Sequence, residues 1–117
     1  MQETNVENLQ SKLNSRNSVE FLYVYTPLCG TCKLAKKMVE VIEATDESLI
    51  IHQLNINHAP DFAKKWKIES VPALFVFQNG LGVERIYAFQ SVPFLFETLQ
   101  PYLVKNRLNQ NKDKGDN

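Results

Sequence analysis

The sequence predicts a three-layer α/β fold in which helices cover both faces of a mixed, four-stranded β-sheet. The chain has 117 residues, of which 44% are hydrophobic, enough for one domain with its own core. Segments with helical apolar spacing alternate with short runs rich in β-branched and aromatic residues. Their order is helix, strand, helix, strand, helix, strand, strand, helix, with right-handed crossovers between the parallel strands.

The first helix and the first strand follow from a change of periodicity. Apolar residues recur at steps of three and four from Val6 to Leu13, which predicts a surface helix. Segment 14–18 breaks this pattern. Val19 to Tyr25 is almost continuously apolar and therefore predicts an interior strand, which Pro27 ends because it has no N–H to donate.

The middle of the chain predicts a long helix, a second strand and a short helix. The long helix begins at or just after Cys29 and continues to about Thr45. We assign its apolar stripe to Leu34, Met38, Val41 and Ile42. Leu49 to Asn55 predicts the second strand, and Pro60 opens a helix that ends near Lys67.

The last part of the chain predicts a hairpin and a final helix. The third strand covers residues 73–77, and Gln78-Asn79-Gly80 is a strong hairpin signal, so the strand from Val83 to Phe89 is antiparallel to it. Pro101 predicts a kink or a frayed turn within the final helix. The apolar face of that helix consists of Val92, Leu95, Phe96, Leu99 and Leu103.

Composition excludes several classes of protein. A formal net charge of zero with 22% charged residues argues against binding to nucleic acid or an anionic membrane surface. The longest apolar run, Val71 to Phe77, is far shorter than the roughly 20 residues of a membrane span. The N-terminus lacks the features of a secretory signal, so we expect a cytoplasmic monomer. Residues 1–108 form the predicted domain, and residues 109–117 a disordered polar tail.

Two cysteines three positions apart carry the chemistry, in the segment Cys29-Gly30-Thr31-Cys32. A helix that begins at Cys29 places its sulfur at the positive end of the macrodipole, which favours the thiolate. Cys32 lies one turn later on the same face and can close a disulfide. Cys29 would attack a substrate disulfide, and Cys32, the buried thiol, would displace the substrate from the mixed disulfide. Gly30 allows close approach of a partner, and no bound cofactor is required.

Other interpretations of these residues stay open. His52 and His58 could complete a zinc site, although nineteen residues separate Cys32 from His52 and roughly 12–15 are usual. The cysteines could also be inert and buried. The lysines that follow Cys32 could assist the thiolate or could simply be solvated.

Three motifs in this order resemble the thioredoxin family from Val19 to about Leu103. They are Cys29-Gly30-Thr31-Cys32, Gln53 to Asn57, and Ile68 to Leu74 followed by Phe75 to Gly80. The resemblance implies an oxidoreductase that acts on protein disulfides. It also implies an electron donor, either a reductase of the thioredoxin-reductase type or a low-molecular-weight thiol.

The resemblance also implies where substrates bind. Pro72 would be a cis-proline that faces the cysteine pair, and Val71 would offer backbone hydrogen bonds to an extended substrate. The implied substrate-binding residues are Leu28, Gly30, Thr31, Val71, Pro72 and Ala88. Ile56 and Phe89 would also border this shallow apolar groove.

Several residues depart from the family pattern. Leu28 stands where tryptophan is usual, and Ala88 replaces a glycine and narrows the groove. Thr31 stands where proline is usual and adds an N–H near the thiolate, which predicts a more oxidising disulfide. The family's buried acid falls at Tyr23, which stays protonated at neutrality. We therefore expect slower resolution of the mixed disulfide, or transfer of the proton to water and Glu69.

Two further expectations follow from these departures. The usual first strand of the family has no counterpart in the sequence pattern, which predicts four strands. A second hypothesis for the function is a thioredoxin-shaped binding module adapted to one protein client, with a client-specific or non-catalytic role. The two hypotheses differ in whether the protein turns over.

Overall fold

The strands and helices follow one another in the predicted order, with one additional strand near the N-terminus. The structure, a computed structural model, describes residues 1–14 and 18–115, with side chains as far as residue 109. The predicted break at residues 14–18 therefore lies partly outside the described residues. The strands are β1 (Gln2–Glu3), β2 (Val19–Tyr25), β3 (Ile51–Asn55), β4 (Ala73–Gln78) and β5 (Leu81–Ile86). The helices are α1 (Val6–Leu13), α2 (Gly30–Glu43), α3 (Pro60–Lys65) and α4 (Val92–Gly115), with a 3₁₀ turn at Ile56–His58.

The five strands of the described residues form one mixed sheet in the order β1-β3-β2-β4-β5. Strand β2 pairs in parallel with β3 and antiparallel with β4, which pairs antiparallel with β5. Helices α2 and α4 cover one face of the sheet, and α1 and α3 cover the other. This confirms the three-layer α/β fold and explains why β2 is apolar at nearly every position, since it is covered on both faces.

The prediction of four strands was wrong, because β1 adds a fifth at the edge. β1 pairs in parallel with β3, and its Glu3 carboxylate accepts a hydrogen bond of 2.9 Å from the Tyr25 hydroxyl. The Met1 amino group lies 2.9 Å from Glu43 Oε1. Two exposed polar residues carry no apolar periodicity, so this strand forms through its pairing and these side-chain contacts.

The buried face of α2 differs from the predicted apolar stripe. Leu34 and Val41 were assigned to the core, but they are 66% and 50% exposed. The buried residues are Cys32, Ala35, Val39 and Ile42. Both sets have helical spacing and share Ile42. Ala35 and Val39 pack into the core between α2 and the sheet, and this packing fixes which face of the helix is buried.

Strand β5 starts and ends earlier than predicted, because the hairpin turn is very tight. Asn79 and Gly80 both have positive φ, 55° and 81°, as a two-residue turn with a right-handed twist requires. The strand therefore resumes at Leu81 and ends at Ile86. A Cβ at Gly80 would lie 2.8 Å from the Leu13 carbonyl oxygen, so glycine also allows α1 to approach the turn.

Helix α4 continues through Pro101 without interruption and ends at Gly115. The sequence predicts a kink or frayed turn at Pro101 and a polar tail from residue 109. Extension of a helix that is already nucleated requires little free energy per residue, which accounts for the helical backbone beyond Asn109. Residues 116–117 lie outside the described part of the chain, and the disorder of the tail stays a prediction. Among the described residues, no helix combines the length and the hydropathy that a membrane crossing needs.

Candidate active site

Cys29 and Cys32 lie where the central strand gives way to α2. Cys29 is the N-cap residue of α2, with an extended backbone (φ −86°, ψ 112°), and the helix begins at Gly30. The sulfur of Cys29 therefore lies at the positive end of the helix dipole, while its side chain makes no capping hydrogen bond to the first turn. No acidic residue occurs in the first turn of α2, so no carboxylate in that turn offsets the positive potential at Cys29.

The two cysteines are joined by a disulfide, with their Cα atoms 5.3 Å apart. Their environments differ. Cys32 is only 5% exposed, whereas Cys29 is half-buried at the surface. An incoming thiol or disulfide can thus reach Cys29 more easily than Cys32.

The two histidines of the alternative zinc site lie apart from this pair. His52 is buried in β3, with Nε2 3.8 Å from a carboxylate oxygen of Glu20. His58 is exposed at the end of the 3₁₀ turn. The described residues contain no group of three or more His, Cys, Asp or Glu placed to hold a metal ion. The structure therefore does not assemble the proposed Cys₂His₂ set.

Two polar groups approach the sulfur of Cys29. The Thr31 hydroxyl oxygen lies 3.3 Å from Sγ, close enough to donate a hydrogen bond to it. The Val71 carbonyl oxygen lies 3.9 Å from the same sulfur. The peptide bond between Val71 and Pro72 is cis, and this loop lies directly against the cysteine pair.

A groove of about 300 Å³ runs along one side of the pair, between α2 and residues 87–90. Of the predicted substrate-binding residues, the structure places Thr31 and Pro72 in its wall, together with Phe89. The other residues of the wall were not predicted from the sequence, in part because Leu34 was assigned to the core. They are Leu34, Ala35, Met38, Tyr87 and Gln90.

The remaining predicted substrate-binding residues lie outside the wall of this groove. Leu28 is 96% exposed, and Gly30 and Ala88 are also exposed. Val71 and Ile56 are half-buried. Val71 contacts Cys29, as described above, so it still lies at the cysteine pair.

Tyr23 lies behind the pair, in the centre of the sheet. Its side chain is 1% exposed, and its hydroxyl donates a hydrogen bond of 2.7 Å to the carbonyl oxygen of Cys32. The ring stacks on Tyr25 and meets Phe89 edge-on. Burial, followed by the nearby Tyr25 and Glu40, raises the pKa of Tyr23 to about 12. Tyr23 is therefore a neutral hydrogen-bond donor at physiological pH.

A cavity of about 160 Å³ lies on the opposite side of α2 from the groove. Its walls include both cysteines and the lysines Lys33 and Lys36, and no lining residue carries a carboxylate. The other lining residues are Tyr23, Tyr25, Thr26, Pro27 and Gln53. Glu69, which was predicted to share the proton of Cys32, is not in this cavity. It lies in the exposed loop before Val71, and its backbone N–H donates to the Tyr87 hydroxyl.

Sequence comparisons relate this chain to known redox proteins. The family model for thioredoxin matches residues 1–100. The thioredoxin-like protein YusE of Bacillus subtilis (strain 168) is 46% identical over 84 residues, which cover 72% of this chain and 79% of that protein. A thioredoxin of Staphylococcus aureus is 31% identical over 94 residues, which cover 80% and 88%.

Structure comparisons point to the same fold. A mutant thioredoxin from Halobacterium salinarum NRC-1 matches with a TM-score of 0.72 at 18% identity, covering 86% of this chain and 90% of the other. A chain from work on the thiol resolving mechanism in yeast mitochondrial 1-Cys peroxiredoxin via glutathione/thioredoxin systems matches with a TM-score of 0.73 at 13% identity. This match covers 86% of the present chain and 94% of the other chain. At these identities the similarity shows the fold alone.

Proposed function

Because the chain belongs to the thioredoxin family, we propose that it reduces or exchanges protein disulfides by cycling Cys29 and Cys32 between dithiol and disulfide. The family and the cysteine pair support thiol–disulfide oxidoreductase activity in general. One observation supports the specific cycle most directly. The accessible Cys29 caps a helix and is bonded to a buried cysteine one turn later.

The first step of the proposed cycle forms a mixed disulfide. The Cys29 thiolate attacks one sulfur of the client disulfide, and the bond between the two client sulfurs breaks. The second client sulfur leaves with the electron pair and takes up a proton. The N–H groups at the start of α2 and the Thr31 hydroxyl stabilise the thiolate before the attack.

The second step releases the client. The sulfur of Cys32 loses its proton and attacks Cys29 Sγ, and the bond between Cys29 and the client breaks. The client sulfur leaves with the electron pair and is protonated. Two electrons have then passed from the protein to the client. A reductase of the thioredoxin-reductase type or a low-molecular-weight thiol restores the dithiol.

Client segments are proposed to lie across the exposed edge of the pair. A Cβ added at Gly30 would meet nothing within 4 Å, so this side of the site is open to a partner. An extended client strand could hydrogen-bond to the backbone of Val71 and contact Leu28, Thr31, Pro72 and Ala88. The affinity would come from main-chain hydrogen bonds and from covering apolar surface.

Reduction of insulin with dithiothreitol as donor tests the proposal. We expect the native protein to accelerate the reduction and the Cys29→Ser variant to be inactive. The Cys32→Ser variant should retain the client on Cys29 as a mixed disulfide that dithiothreitol releases. Leu108→Ala, an exposed position on α4, is the matched control and should retain full activity. If the native protein binds clients without any turnover, the binding-module hypothesis replaces this one.

A further inference from the structure

The hydroxyl of Tyr23 contacts the backbone of the buried cysteine, on the side away from the client. The hydrogen bond of 2.7 Å reaches the Cys32 carbonyl, which lies in the first turn of α2. Tyr23 itself is held in the middle of the sheet, where its register partners are Gln53 of β3 and Leu74 of β4. This contact therefore ties the start of α2 to the central strand of the sheet.

The groups around Tyr23 and Cys32 do not offer a direct proton acceptor. The cavity beside them is lined by Lys33 and Lys36, which are cationic, and by Gln53, which does not titrate. Two carboxylates lie near the cavity but outside its wall. The Glu3 carboxylate accepts a hydrogen bond from the Tyr25 hydroxyl. Glu40 is exposed on α2 and affects the pKa of Tyr23 only through its charge.

We propose that Tyr23 is a positioning residue for release of the client: its hydroxyl fixes the backbone of Cys32, while the adjacent cavity lets the Cys32 proton pass directly to solvent. This inference rests on the proposed oxidoreductase function. A space of about 160 Å³ is large enough to admit several water molecules and has polar groups in its wall. The high pKa of Tyr23 agrees with a role as donor and not as base.

The resolving step then balances without a protein base. The Cys32 thiol gives its proton to water, the Cys32–Cys29 bond forms, and the Cys29–client bond breaks. The client sulfur leaves with the electron pair. The rate should therefore rise with pH through a single ionisation, that of Cys32.

The protein is first reduced to the dithiol and freed of the reductant, and its two-phase reaction with 5,5′-dithiobis(2-nitrobenzoate) then measures both steps in one experiment. Release of the first coloured thiolate reports attack by Cys29, and release of the second reports displacement by Cys32. Stopped-flow records between pH 5 and pH 9 give both rates. Tyr23→Phe removes only the hydroxyl. We expect the second rate to fall by about three- to tenfold, the effect of one hydrogen bond, with the first rate unchanged.

Tyr102→Phe is the matched control. The Tyr102 hydroxyl donates a hydrogen bond of 3.0 Å to Glu84, and Tyr102 does not line the cavity. The variant should keep the native second rate. Tyr23→Asp should add a second ionisation to the pH profile of that rate, because a carboxylate would then stand behind Cys32.

Three results separate the possible failures. An unchanged second rate in Tyr23→Phe would overturn the positioning role. A second ionisation in the native profile that disappears in Glu40→Gln or Glu3→Gln would overturn the direct route to solvent. If the native protein releases no coloured thiolate in either phase, the proposed oxidoreductase function fails as well.

Discussion

Thr31 gives Cys29 two groups that a proline at the same position could not supply, a backbone N–H and a hydroxyl. The hydroxyl oxygen lies 3.3 Å from the sulfur. In the reduced protein it can donate a hydrogen bond to the thiolate. A group that stabilises the thiolate lowers the free energy of the dithiol form and so makes the disulfide more oxidising.

We expect Thr31→Val to make the disulfide more reducing. Loss of one hydrogen bond of about 0.5–1.5 kcal/mol corresponds to a potential about 10–30 mV more negative. Equilibration with a glutathione buffer measures this potential. Alkylation of Cys29 with iodoacetamide at pH 7 should also become slower. Thr31→Ser keeps the hydroxyl and should behave as the native protein, and equal potentials in all three proteins would contradict this role.

At the scale of single elements, the residues of the predicted apolar stripe of α2 do not contribute equally to stability. Ile42 packs in the core at 1% exposure, whereas Leu34 is exposed. We expect Ile42→Ala to lower the free energy of unfolding by about 2–5 kcal/mol. Leu34→Ala should change it by less than about 0.5 kcal/mol. Urea titration followed by circular dichroism distinguishes the two, and equal losses would mean that the helix is rotated from its described position.

Pro101 lies inside α4, where its ring removes one helical hydrogen bond and crowds the preceding turn. The side chain is exposed, so no packing depends on it. We expect Pro101→Ala to stabilise the protein by about 1–2 kcal/mol, or roughly 4–8 °C in Tm. A thermal unfolding scan measures the change. A lower Tm in this variant would show that the proline stabilises the native helix.

The main elements could be predicted because their sequence signals are strong. The apolar run of β2, the Asn79-Gly80 turn and the Cys29-Gly30-Thr31-Cys32 spacing each have a local physical cause. Strand β1 could not be predicted, since it exists through pairing with a distant segment. The buried face of α2 could not be predicted either. Two overlapping sets of apolar residues have helical spacing, and only packing against the sheet selects one of them.

Only the part of the site that has a local sequence signal could be predicted. Tyr23 could be identified as a departure from the family pattern, but the partner of its hydroxyl depends on how α2 is placed over β2. The cavity between Tyr23 and Lys36 is likewise a product of three elements. Such features arise from tertiary packing and have no local signature.

At the scale of the whole molecule, His52 links stability to pH. Its side chain is 4% exposed, and burial, with Lys12 adding to it and Glu43 opposing it, lowers the pKa of His52 below 6.5. The unfolded chain therefore binds a proton below pH 6.5 that the folded protein excludes. Stability is lost as the pH falls below that value.

Glu20, which faces His52, has the opposite effect. Burial raises the pKa of Glu20 above 4.5, and Lys12 offsets part of this. The folded protein therefore retains a proton on Glu20 that the unfolded chain releases. Between pH 4.5 and the raised value, the contribution of Glu20 to stability falls as the pH rises.

We expect the free energy of unfolding to decline as the pH is lowered from 6.5 to 5.5, and His52→Gln to flatten this decline. The slope that one histidine can contribute is at most about 1.4 kcal/mol per pH unit. Denaturant titrations at several pH values measure the slope. Glu20→Gln removes the opposing carboxyl and should leave the decline in place. An identical slope in the native protein and His52→Gln would assign the pH dependence to other groups.

Leu28 projects almost wholly into solvent beside the first cysteine. Any client that docks there must displace the water around a leucine-sized apolar surface. Release of such water lowers the heat capacity of a complex relative to its separate components. Calorimetry at several temperatures would then distinguish a client that covers this side chain from a small disulfide that reacts with Cys29 and leaves Leu28 hydrated.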